Sequence, residues 1–82
     1  MVAEQLAFKN LDRDANGIFK TGFWTIADPN NQYNAYTQYG VLISLVVGGS
    51  YPYIQIVFNR GDGRLIYRTS NANREWGEWL TL

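Results

Sequence analysis

Tyr53-Ile54-Gln55-Ile56-Val57-Phe58-Asn59-Arg60-Gly61-Asp62-Gly63-Arg64-Leu65-Ile66-Tyr67-Arg68-Thr69 is the stretch that decides the fold. Its first half alternates: Ile54, Ile56 and Phe58 fall on one side of an extended chain and Tyr53, Gln55, Val57 and Asn59 on the other. The side carrying Ile54 is expected to face the core. Arg60-Gly61-Asp62-Gly63 then supplies Asp-Gly, a strong two-residue hairpin signal, so Leu65 to Thr69 is expected to return antiparallel.

Upstream, Val41-Leu42-Ile43-Ser44-Leu45-Val46-Val47 is apolar at both alternating sets of positions, the pattern of a strand that is central or covered on both sides. Gly48-Gly49-Ser50 turns it back. Gly22-Phe23-Trp24-Thr25-Ile26 reads as another strand, stopped by the turn residues Asp28-Pro29-Asn30-Asn31. Downstream, Trp76 to Leu82 reads as a last strand that docks the end of the chain; regular extension would send Trp76 and Trp79 to opposite faces. Met1 to Asn16 alone carries a loose helical period, through Leu6, Phe8 and Leu11. The expected fold is therefore all-β, a small antiparallel meander of four to five strands over residues 18–82. Residues 1–17 form an N-terminal segment, helix or extended arm. The strands lie too close together for crossover helices, which excludes an α/β fold.

The chain has 82 residues, enough for one small domain, and buries roughly 60 to 65% of its unfolded surface. It contains no cysteine and no histidine. Disulfides, zinc fingers, haem ligated by His or Cys, and nucleophiles driven by imidazole are thereby excluded. Oligomerisation is the remaining reinforcement. Seven basic and seven acidic residues cancel, so the chain as a whole lacks the positive field of a nucleic-acid binder. No run approaches the ~20 apolar residues of a membrane helix, and Met1 onward does not read as a signal peptide.

Motifs for catalysis are weak. Arg60-Gly61-Asp62 spells an adhesion tripeptide but is explained by the turn chemistry of Asp62-Gly63. Glu75 and Glu78 would point to opposite faces of a strand, Asp12 and Asp14 are the other near pair, and no acid, base or metal set converges, so no enzyme and no cofactor are expected. The aromatic content, 16% of residues, carries more information. Trp24, Phe23 and Tyr67 suit an ordinary β core. Tyr33, Tyr36 and Tyr39, spaced three apart among Asn31, Asn34 and Gln38, match the composition of adaptable recognition loops. Together with Trp76 they form the candidate ligand-binding set: rings to stack on sugar faces and amides to exchange hydrogen bonds with hydroxyls.

Thr21-Gly22-Phe23-Trp24-Thr25-Ile26, then Tyr39-Gly40-Val41-Leu42-Ile43, Ile54-Gln55-Ile56, Ile66-Tyr67-Arg68-Thr69-Ser70 and Trp76-Gly77-Glu78-Trp79 together, in that order, resemble the knob-type module of phage tail fibres and R-type pyocin fibres. The likeness covers about residues 18–82; Trp24 stands where such modules usually carry Tyr, and the tyrosine loop is longer. The resemblance implies a non-catalytic module of a virion tail fibre or receptor-binding protein that acts outside the cell. It also implies a homotrimer, and host attachment through bacterial surface polysaccharide or teichoic acid. A structural spacer or trimerisation domain with no ligand of its own is the alternative. Neither nucleic-acid binding nor membrane insertion is expected.

Overall fold

A computed structural model describes residues 9–48 and 52–82. They form a six-stranded sheet in sequential order: β1 (Lys9–Asn10), β2 (Gly22–Ala27), β3 (Tyr39–Val46), β4 (Tyr53–Asn59), β5 (Leu65–Ser70) and β6 (Leu80–Thr81). Strands β2 to β6 are an antiparallel meander, whereas β1 runs parallel to β2. The all-β class expected from the alternation is the class observed. The one strand not expected, the edge strand β1, is two residues long, too short to leave a period in the sequence.

Among the described residues, the N-terminal segment is not helical. After β1 it crosses the sheet extended, closes one 3₁₀ turn at Ala15–Gly17 and buries Leu11, Ala15 and Ile18. Tertiary burial of three spaced apolar residues overrides a weak local period here, and the Asp14 carboxylate holds the turn by accepting from the Asn16 N–H. The part of the helical expectation that falls on residues 1–8 lies outside the described residues. The core is the layer between this segment and the sheet: Trp24, Ile26, Leu42, Val57 and Ile66 below, Leu11, Ala15, Ile18 and Ala35 above.

The sides of β4 are the reverse of the expectation. Gln55 and Val57 are fully buried and Tyr53 nearly so, while Ile54 and Ile56 are half-buried and Phe58 is exposed. The period of two is correct, but its polar member faces inward because Gln55 is a cross-link. Its Nε2 donates to the Ala15 carbonyl at 2.7 Å, and its Oε1 accepts from Arg68 Nε and Nη2 at 2.9 and 2.7 Å. Strand β3 is central, between β2 and β4, with Leu42 and Ser44 covered and Val41, Ile43 and Leu45 half-buried on the other side. Phe23 and Tyr67 likewise lie on that second side rather than in the core.

The turn after β4 is longer than a two-residue hairpin. Asn59 and Arg64 are its last paired residues, the Gly63 N–H donates to the Asn59 carbonyl, and Gly63 takes φ +73°, a conformation that suits glycine. The expected strand from Trp76 to Leu82 shrinks to β6 plus a single bridge between Ser70 and Trp76. Because that stretch is irregular, Trp76 and Trp79 do not alternate; both reach the guanidinium of Arg68 on the core side.

The second side of the sheet is a row structure with no charged residue in β2 to β6. One row crosses five strands, Phe23, Ile43, Ile56, Tyr67 and Leu80; beside it run Val41, Phe58 and Leu65, then Leu45 and Ile54. Phe58, Leu65 and Leu80 are each more than 40% exposed, a high density of apolar surface for one face. Among the described residues no helix is long and apolar enough to cross a membrane.

Candidate functional site

The loop between β2 and β3 is built on one buried carboxylate. Asp28 is 1% exposed; its Oδ1 and Oδ2 accept from the backbone N–H groups of Gln32 and Tyr33, each at 2.9 Å, and its own carbonyl accepts from Asn31 N–H. Pro29 follows Asp28 directly, where a fixed φ favours the first corner of such a turn. Asp28→Ala would leave two partly buried donors unpaired, and is expected to cost about 2–4 kcal/mol and to disorder residues 29–36 first. Hydrogen exchange at Gln32 and Tyr33 measures this directly.

Three non-glycine residues of this loop sit at positive φ: Asn31 at 53°, Asn34 at 53° and Tyr36 at 73°. Asn tolerates the left-handed region, but an aromatic residue there is an outlier that costs roughly 1–2 kcal/mol. Its cause is visible. The Thr37 N–H donates to the Ala35 carbonyl at 2.8 Å, closing a three-residue turn around Tyr36 of the rare, strained γ type. Ala35 is locked in the core at 2% exposure, so the strain turns Tyr36 outward, where it is 48% exposed.

Tyr36, Asn31 and Asn34 meet Asn16, Arg68 and Trp79 around an open depression of about 330 Å³. The rings of Tyr36 and Trp79 are 5.9 Å apart and tilted by 59°. Asn34 Nδ2 donates to Asp14 Oδ1, fixing its amide at the rim. Arg68, on β5, is 5% exposed, with its guanidinium carbon 4.5 Å from the Trp76 ring centre and 4.2 Å from that of Trp79. Its Nε and Nη2 are used by Gln55, whereas Nη1 has no acceptor among the described residues. Desolvation pushes this guanidinium down to about 10, against the opposing charge of Asp14, and it stays a cation at neutral pH.

From Arg68 a ladder of rings continues across the N-terminal segment. Trp76 stacks on Phe19 at 5.4 Å and 15°, and its Nε1–H donates to the Asn16 carbonyl. Phe19 meets Tyr53 edge-on at 4.9 Å, and Arg74 lies 5.1 Å above Phe19. A second depression, of about 250 Å³, opens at that end, lined by Arg13, Gly17, Ile18, Phe19, Lys20 and Arg74. Arg74 also takes positive φ, at 62°, within a turn held by the Asn71 side chain.

Of the residues singled out from sequence, Asn31, Asn34 and Tyr36 therefore share one depression. Tyr33 packs against the core and Trp76 stacks on Phe19 in the ladder. Gln38 and Tyr39 belong elsewhere, beside Thr37, Asn59, Arg60 and Gly61, with Gln38 donating to the Pro29 carbonyl. Arg68, Trp79 and Asn16 complete the depression and were not selected. Arg68 alternates with Ile66 and Ser70 on the buried side of β5, so an inward-facing arginine was the available signal. Compared with known proteins, the chain matches no family model, no curated protein and no solved structure.

Proposed function

We propose that the chain is a non-catalytic module of a phage or phage-derived tail fibre or receptor-binding protein, and that it contributes to attachment by recognising glycan on the bacterial surface. The fibre context, and with it a place on the virion tail acting outside the cell, rests on the ordered sequence resemblance. The glycan reading rests on one observation: a strained γ-turn spends backbone energy to hold Tyr36 out of the core, opposite Trp79 and among three Asn side chains. Strain of this kind persists where the surrounding fold over-determines it, and it concentrates at binding sites. Two tilted rings offer apolar platforms to the C–H faces of a sugar, while amides both donate to and accept from hydroxyls. No acidic residue lines the depression, which suits holding a saccharide rather than cleaving it.

Tyr36→Ala is expected to lower binding of the labelled chain to host cells and to purified surface polysaccharide by at least about tenfold. Its thermal midpoint should stay within a few degrees, because the Tyr36 ring is 48% exposed and the cost of the positive φ, which arises at Cβ, is the same for Ala. Undiminished binding by a folded Tyr36→Ala variant would remove the depression from consideration as the receptor site.

A second reading has its own support. The uncharged face carrying Ile43, Ile56, Phe58, Leu65 and Leu80 is the kind of surface that a homotrimer of fibre subunits buries around its axis, each square ångström contributing roughly 25 cal/mol. On this reading the module is a spacer or trimerisation unit. Sedimentation separates the two: self-association without cell binding favours the spacer, and cell binding favours attachment whatever the oligomer.

A further inference from the structure

We propose that the ligand of this module is an anionic glycopolymer, one whose repeat carries a carboxylate or phosphate, and that it lies along the ring ladder with charged groups in both depressions. This rests on the glycan reading and adds the charge and the span of the ligand. The chain is neutral overall, yet four of its seven basic residues line the two depressions, Arg68 in one and Arg13, Lys20 and Arg74 in the other; no acidic side chain lines either. Neutrality of composition thus conceals a local positive track.

Arg68 carries the greatest weight. A guanidinium at 5% exposure is costly to bury, and although Asp14 acts on it as an opposing charge, neither of the two ion pairs among the described residues includes it. Gln55 is a neutral acceptor that occupies Nε and Nη2, and the Trp76 and Trp79 rings lie against the guanidinium. Nη1 is left for an oxyanion entering the depression, where Asn16, Asn31 and Asn34 are placed to bind neighbouring hydroxyls. At the far end Arg74 lies over Phe19; among the described residues Lys20 is in no ion pair, and Arg13 pairs with Asp12 at 3.3 Å, both exposed. The acids near the track, Asp12, Asp14 and Glu75, stand at its margins, Asp14 bonded to Asn34 and Glu75 to Asn71. A single-stranded nucleic acid would also meet cations and rings, but the clustered amides favour a hydroxyl-rich polymer.

The test is titration of the ¹⁵N-labelled chain with four probes: oligogalacturonate, its uncharged methyl ester, oligo(glycerol phosphate) and a single-stranded DNA of similar length. The expected result is that oligogalacturonate or oligo(glycerol phosphate) shifts the indole signals of both Trp76 and Trp79 and the Nε–H signals of Arg68 and Arg74. That ligand should bind at least about tenfold more tightly than the methyl ester and weaken steeply with salt. Which of the two binds separates a carboxylate from a phosphate source. Arg74→Gln, an exposed position, should weaken the anionic ligand about three- to tenfold, and Asp14→Asn, which removes a rim charge but keeps the acceptor for Asn16, should strengthen it about threefold. Equal binding of the ester and the acid would overturn the charge requirement while leaving the glycan reading in place. Shifts confined to Trp79 and Arg68 would overturn the two-depression span. DNA binding as tight as the best glycan would overturn the polymer class, and no shift at Trp79 from any probe would overturn both this inference and the glycan reading beneath it.

Discussion

Replacing Gln55 by Leu is expected to cost about 3–5 kcal/mol and to lower the thermal midpoint by more than about 12 °C, the largest effect of any single substitution considered. Leucine is close to glutamine in volume, so the loss is not one of packing. Gln55 joins three elements: it satisfies the Ala15 carbonyl of the N-terminal turn, accepts two hydrogen bonds from Arg68 on β5, and does so from β4 at zero exposure. Without it a buried cation loses its acceptor, and the Ala15 carbonyl keeps only the longer bond from the Ile18 N–H at 3.2 Å. The cost should extend beyond stability. Arg68 is held against Trp76 and Trp79 by Gln55, so a variant that remains folded at low temperature should show displaced indole signals at both tryptophans. Gln55→Glu keeps the acceptor for Arg68 but sets a carboxylate against the Ala15 carbonyl, and should fall between wild type and Leu. Urea unfolding of the three proteins measures the order, and a loss below about 1 kcal/mol for Leu would show that the relay contributes little.

The second large effect concerns association. Ile56 stands mid-row on the uncharged face, between Ile43 on β3 and Tyr67 on β5, and is only half-buried in the single chain. If copies of the chain cover this face, Ile56→Glu places an unpaired carboxylate at the centre of their interface. Association should weaken at least about 100-fold, giving a monomer at concentrations where the wild type sediments as an oligomer. The folded monomer should lose little stability, since the Glu side chain can reach water in the free chain. Equal sedimentation of the two proteins would show that the face is not an association surface.

Local alternation was enough to locate β2 to β5 and the all-β class, because strands with one buried side enforce a period of two. The same alternation could not say which side is inside. Around Ile54, Ile56 and Phe58 the sequence points outward in the single chain, and the residue that decides the matter, Gln55, looks like a surface residue until its partners 13 and 40 positions away are known. Loop composition brought out Asn31, Asn34 and Tyr36, which do converge; Tyr33 shares the same composition but packs on the core because Asp28 caps its N–H and its carbonyl binds Ala15. Trp79 and Arg68 were hidden for a geometric reason. A regular strand would have sent Trp76 and Trp79 apart, and only the irregular path after Ser70, with the Gly77 N–H donating to Thr69, brings both rings to one guanidinium.

On the proposed reading the two sides of the sheet do different work, an uncharged face for association and a ring-and-cation face for recognition. The most direct test is to measure binding of fluorescent wild type, Tyr36→Ala and Ile56→Glu to host cells over one concentration series, with the oligomeric state of each determined on the same samples. The expected result is that Tyr36→Ala stays assembled but fails to bind, while Ile56→Glu is monomeric and binds more weakly, through loss of avidity, at an unaltered site. Binding of Tyr36→Ala at the wild-type level, with its fold and assembly intact, would contradict it.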